Sequence, residues 1–151
     1  MENGNIKANK FQEFLTAGRL TCFGVQEMND AVHTVLFRTN LEVGGQQLPV
    51  LFVTDDSLYA TIQVRVVPAA VRDGNSHSVL TFVNERNRTY KNFKYFIGED
   101  NSLILDVCLT AEPEQFEPQL VSLTLDIILR HLTDEYPVIM RTIWAGEIPQ
   151  S

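Results

Sequence analysis

Residues 117–136, EPQLVSLTLDIILRHLTDEY, carry more apolar surface than one neighbour can cover. On a helix at 100° per residue, Phe116, Leu120, Leu123 and Ile127 form one apolar cluster. Val121, Leu125, Ile128, Leu129, Leu132 and Tyr136 form a second. An ordinary surface helix needs an apolar stripe only somewhat wider than 100°. Here the two clusters cover well over half the circumference. Such a helix needs a sheet on one side and another helix or a second subunit on the other. The rest of the chain must supply that sheet.

Period-two alternation supplies it. In residues 58–66, Leu58, Ala60, Ile62, Val64 and Val66 alternate with Tyr59, Thr61, Gln63 and Arg65. A slip of one residue would bury Gln63 and Arg65, so the register is well specified. In residues 32–43, Val35, Phe37, Leu41 and Val43 share one parity with His33 and Thr39, against Arg38, Asn40 and Glu42. Gly44 and Gly45 then provide the positive φ of a tight turn into a strand at 47–54. Pro49 has no N–H to donate, which places it at an edge position or near the strand start. Sequential strands with short turns predict an antiparallel meander. Residues 21–25 form either a further strand or an extended lead-in, and 26–30 a loop.

Helical spacing marks two more segments. Phe11, Phe14 and Leu15 share a face in residues 9–17, and Gly18 is a stop. After a connector at 68–75, Ser76 or Ser78 caps a helix to about residue 88 that buries Val79, Leu80, Phe82 and Val83. Strands follow at 93–97 and 102–109 around a turn at 98–101, with Leu103, Leu105, Val107 and Leu109 on the core face. Pro118 suits the first turn of the long helix. Pro137 ends or kinks it, with 138–144 adding a last turn or two. Residues 1–7 and 146–151 are polar tails, expected to be flexible. The reading is a single α+β domain, an antiparallel sheet with helices packed mainly on one face, in the order α-β-β-β(-β)-α-β-β-α.

A chain of 151 residues is long enough to bury a core as one domain. Its net charge of −7 argues against nucleic acid and anionic membranes as partners. Arg86, Arg88, Lys91 and Lys94 are its one basic cluster, read as a solvated helix end. Cys22 and Cys108 are far apart, outside any Cys-x-x-Cys, and Cys108 falls in an apolar strand, so buried free thiols are expected. No signal peptide is visible and the apolar runs are too short to span a bilayer, which points to a reducing, cytoplasmic setting.

Chemistry is sparse. His33, His77 and His131 share no metal-ligand spacing, and His131, between the two apolar clusters, reads as solvent-facing or interfacial. There is no phosphate-binding glycine loop and no Gly-x-Ser-x-Gly. Asp55, Asp56, Glu99 and Asp100 lie in turns, where paired carboxylates are usually solvated caps. No catalytic residue, cofactor or metal is expected. Asn84, Asn87, Arg88 and Tyr90 cluster near the end of the second helix. They either satisfy the neighbouring strand turn or form a small hydrogen-bonding site.

From residue 79 to 136 the order of elements resembles the YbjN family, described as bacterial sensory transduction regulators with a fold like that of type III secretion chaperones. The resemblance rests on the helix ending Phe82-Val83-Asn84-Glu85-Arg86-Asn87 and the strand at 93–97. It continues through Gly98-Glu99-Asp100-Asn101, the strand at 103–109 and a long helix closing Asp134-Glu135-Tyr136-Pro137. It implies a non-enzymatic, often dimeric domain that holds another polypeptide, and it supplies no catalytic residues.

The functional expectation is a cytoplasmic interaction or regulatory domain, chaperone-like and homodimeric, which engages itself and possibly another protein. Val121, Leu125, Ile128 and Leu132 are the first candidate interface, since one sheet cannot cover them. The face carrying Tyr59, Thr61, Gln63 and Arg65 is the second. The alternative is a small-molecule site or enzyme pocket between sheet and helices near Asn84, Asn87, Arg88 and Tyr90. A structural subunit of a larger assembly is a third.

Overall fold

The computed structural model describes residues 4–145. Helix α1 (Ile6–Ala17) precedes strands β1 (Gly24–Glu27), β2 (Val35–Val43), β3 (Gln46–Thr54) and β4 (Tyr59–Val67). Helix α2 (Ser76–Thr89), strands β5 (Lys94–Ile97) and β6 (Leu103–Thr110), a 3₁₀ turn (Pro113–Gln115) and helix α3 (Gln119–Trp144) complete the chain. The six strands form one antiparallel sheet, ordered β1-β2-β3-β4-β6-β5. The class is α+β and the order of elements is the one expected, with the optional fourth strand present. That strand, β1, starts later than residue 21 and takes up Gln26 and Glu27, which the sequence assigned to a loop.

One core lies between the sheet and the helices. Phe37, Phe52, Ile62, Val64, Leu103 and Leu105 point into it from four strands. From α1, Phe11 meets Phe37 and Phe52 edge-on at centroid distances of 4.8 and 5.0 Å, and Phe116 stacks on Phe52 at 6.3 Å. Phe82 of α2 meets Tyr95 of β5 at 5.5 Å. Such edge-to-face pairs add to the burial of apolar area that drives the packing. Pro49 lies opposite Asn40 of β2, while the ladder to β4 begins only at Val50, so the missing donor falls outside that ladder.

Several expectations change. Val121, Ile128 and Leu132 are fully buried by the chain itself, so they are not a surface for a second subunit. Leu125 is half-buried against the same core. The physical reason is that this cluster is the side of α3 that joins the core shared by the sheet and the other helices. The other cluster divides instead: Phe116 is core, while Leu120 and Leu123 are 39% and 52% exposed. Of the two alternatives for Pro137, it does not end α3: the helix continues through residues 138–144 to Trp144, as the second allowed. Pro118 is the N-cap rather than a first-turn residue. Leu58 and Leu80, expected in the core, are exposed: β4 begins one residue after Leu58, and α2 buries only the narrow stripe through Val79 and Phe82.

The start of the chain is also more ordered than its polarity suggests. Asn5 is buried and caps α1 by accepting the Ala8 N–H at 2.9 Å. Its amide donates to the His33 carbonyl and to Thr54 Oγ1. Lys7 is buried as well and donates to the carbonyls of Ser57 and Tyr59. Burial pushes the Lys7 ammonium below its ordinary range, against the raising effect of Asp55 and Asp56. Residues 4–7 are therefore not a flexible tail, and 1–3 and 146–151 lie outside the described residues. Asn75, not Ser76 or Ser78, is the N-cap of α2. Its buried side chain accepts the Arg72 N–H and donates to the carbonyls of Ala70 and Ile143, tying the connector to the end of α3. At Gly44, φ is +56° and an added Cβ would lie 2.8 Å from the Tyr136 ring, so the hairpin turn also carries a close helix contact.

Candidate functional site: the uncovered sheet face

Strand alternation sends every second residue away from the helices, and the register lines those residues up in rows across the sheet. One row runs Gln26, Leu36, Val53, Thr61 and Cys108. The next runs Arg38, Leu51, Gln63, Asp106 and Lys94. A third brings Arg65 against Ile104 and Phe96. Leu36, Leu51, Val53, Phe96 and Ile104 are half-buried and are not part of the core cluster. Of the sequence-predicted candidates, Tyr59 and Arg65 belong to this face and both are exposed.

An open groove of about 520 Å³ runs over this face, floored by Pro49, Leu51 and Ile104 and flanked by Arg38, Gln63 and Arg65. Cys22 lines it as well. None of the lining residues is a carboxylate. Arg38 donates to Gln26 Oε1 at 2.6 Å, and among the described residues it forms no ion pair. Arg65 pairs with Asp100, outside the groove. Hydrogen bonds from Ser102, with the Arg65 charge as a smaller contribution, hold the Asp100 carboxyl below the usual range.

The predicted polar cluster does not form an enclosed site between sheet and helices. Asn84 and Arg88 are exposed, and Tyr90 stacks on Phe93 at 5.2 Å. Asn87 serves the fold, accepting the Tyr95 N–H at 2.7 Å and donating to the Tyr95 carbonyl at 2.9 Å. A side-chain amide thus takes the place of a neighbouring strand at the outer edge of β5. Asn87 and Tyr90 do line a shallow, open pocket of about 290 Å³, together with Lys91, Lys94, Asp106 and Cys108. Asp106 is 6% exposed, its Oδ2 lies 3.7 Å from Lys94 Nζ, and its Oδ1 has no hydrogen-bond partner among the described residues.

His131 is buried rather than solvent-facing. Its Nε2 is 2.6 Å from the Tyr95 hydroxyl, and its ring packs against Tyr90 and Phe93. Burial lowers its pKa and raises that of Tyr95. His33 is exposed and bonded to Asp56 at 2.7 Å, which raises the imidazole pKa. Both cysteines are exposed free thiols, Cys108 because β6 turns Leu105 and Val107 inward and residue 108 outward. Among the described residues, no group of His, Cys, Asp and Glu is placed to hold a metal ion, and no helix is long and apolar enough to cross a membrane. The sequence did contain the outer face, as the alternate residues of its strands. What it lacked was any signal that Arg38 and Cys22 border the same groove as Arg65, since residues 22, 38 and 65 meet only through the sheet order.

No protein-family model matches the chain, and no curated protein matches it.

Proposed function

We propose that this chain is a non-catalytic interaction domain, regulatory or chaperone-like in kind, that holds another polypeptide against the uncovered face of its sheet. The observation that carries this reading is the placement of all three helices on one side. Half-exposed Leu36, Leu51, Val53, Phe96 and Ile104 are left on the other, around an open groove. An apolar floor with a polar, charged rim is the usual composition of a protein contact surface. Homodimerisation, the second part of the proposal, is assigned to the exposed strip of α3 at Leu120 and Leu123, leaving the sheet face free for a partner. A cytoplasmic location is proposed with it, since two exposed thiols suit a reducing compartment.

The test is a photo-crosslinking amino acid placed at Val53, on the sheet face, and at Thr133, exposed on α3. Illumination in the producing cell is expected to give a discrete adduct containing a second polypeptide from position 53 and not from position 133. Adducts from neither position, or equally from both, would refute the sheet-face reading. A second reading, a small-molecule site, draws on the groove's volume of about 520 Å³, within the range of ligand pockets. A rise in melting temperature with a small organic ligand, lost in Leu51→Arg, would favour it.

A further inference from the structure

The groove differs in charge from the molecule around it. The chain carries a net charge of −7, yet two guanidinium groups and no carboxylate line this one channel. Arg38 is held by a neutral amide, which fixes its direction without neutralising it. Arg65 is balanced only from outside the groove, by an exposed Asp100. Gln63 shares the row of Arg38, precedes Arg65 by two residues on β4, and offers both donor and acceptor groups. Guanidinium groups are suited to two-point recognition of carboxylates. The floor beneath them, Pro49, Leu51 and Ile104, is apolar.

The channel is also long. Its lining comes from β2, β3, β4 and β6, four adjacent strands. At about 4.8 Å per strand the span is roughly 14 Å, the reach of an extended segment of about four or five residues. It is open to solvent along that length, whereas small-molecule sites enclose most of their ligand's surface. Length and openness favour an extended chain over a small free anion.

We propose that the groove binds an extended, acidic segment of a partner protein, with Arg38 and Arg65 receiving its carboxylates and Leu51 and Ile104 its apolar side chains. This rests on the interaction reading above and adds the partner's chemistry. Asp100 then acts as a competitor: it holds Arg65 until a carboxylate of the partner replaces it.

The experiment is fluorescence anisotropy with labelled peptides of about twelve residues, alternating Glu and Thr, Gln and Thr, or Lys and Thr, at ~50 and ~300 mM salt. The Glu peptide is expected to bind, at least tenfold more tightly than the Gln peptide and more weakly at high salt. Arg38→Glu should weaken it at least tenfold and Arg38→Gln less. Arg88→Glu, at another exposed arginine outside the groove, should change it less than twofold. Asp100→Asn should tighten binding several-fold, a gain that a structural role for Asp100 would not produce. Alkylation of Cys22, followed by mass, should slow when the Glu peptide is bound. Folding of each variant is checked by circular dichroism.

Equal binding of Gln or Lys peptides at the groove would overturn the acidic preference while leaving the interaction reading intact. Free glutamate or citrate competing at the peptide's own affinity would overturn the peptide assignment in favour of a small anion. Binding of the Glu peptide with no effect of Arg38→Glu and no protection of Cys22 would place it elsewhere and overturn the proposal. A second copy of the chain that blocks Cys22 in a concentration-dependent way would overturn it in favour of self-association.

Discussion

His131 carries its aromatic ring into a pocket of Tyr90, Phe93 and Tyr95, and that position has a consequence for pH. Its pKa in the folded protein is lowered by burial, with Glu135 opposing and Arg86 adding to the effect. A histidine in the unfolded chain titrates near 6.5. Below that value the unfolded state binds the proton more readily, so stability falls as pH falls. His33 has the opposite sign: its raised pKa contributes stability that is present at low pH and lost as pH rises through its folded value. The difference between wild type and His131→Gln isolates His131. Between about pH 7.5 and 5.5, wild type is expected to lose more melting temperature than His131→Gln. Parallel curves would mean that His131 does not contribute. Burial of His131 could not be inferred from its polarity. It follows from Tyr95, 36 residues away, whose hydroxyl supplies the ring nitrogen with a partner.

The sheet ends in two edge strands, β1 and β5. The outer edge of β5 is occupied at Tyr95 by the Asn87 amide, so a further strand cannot pair there without displacing it. β1 forms the opposite edge, where Val25 is 45% exposed. Asn87→Ala removes two hydrogen bonds to backbone groups and is expected to cost about 1–2 kcal/mol, read by urea denaturation. Asn87→Asp restores the acceptor for the Tyr95 N–H but turns a carboxylate oxygen toward the Tyr95 carbonyl, so it should not rescue. A loss of less than about 0.5 kcal/mol for Asn87→Ala would exclude the plugging role. The pattern of residues 79–88 gave α2 correctly as an element. It could not show that Asn87 reaches back to β5, because that contact is created by the sharp return of the chain through residues 90–93.

At the scale of the molecule, three helices cover one side of a six-stranded sheet and leave the other side to solvent. Size-exclusion chromatography with light scattering on wild type and Leu123→Asp tests the dimer part of the proposal. The expected result is a wild-type dimer and a folded monomer, since Leu123 is 52% exposed and its replacement leaves the core intact. A wild-type monomer at micromolar concentration would remove the homodimer from the proposal. The residue pattern alone determined the alternation in β4, the β2–β3 hairpin at Gly44 and Gly45, the order of elements and the antiparallel α+β class. These depend on local periodicity and turn stereochemistry, which are properties of neighbouring residues. Tertiary structure decided which apolar cluster of α3 became core. Both clusters are apolar along the sequence, and only the docking of α3 onto the rest of the fold buries Val121, Ile128 and Leu132 and leaves Leu120 and Leu123 exposed. It also decided the groove, because Arg38 of β2 and Arg65 of β4 come to line one channel through strand order and register, which no local pattern encodes.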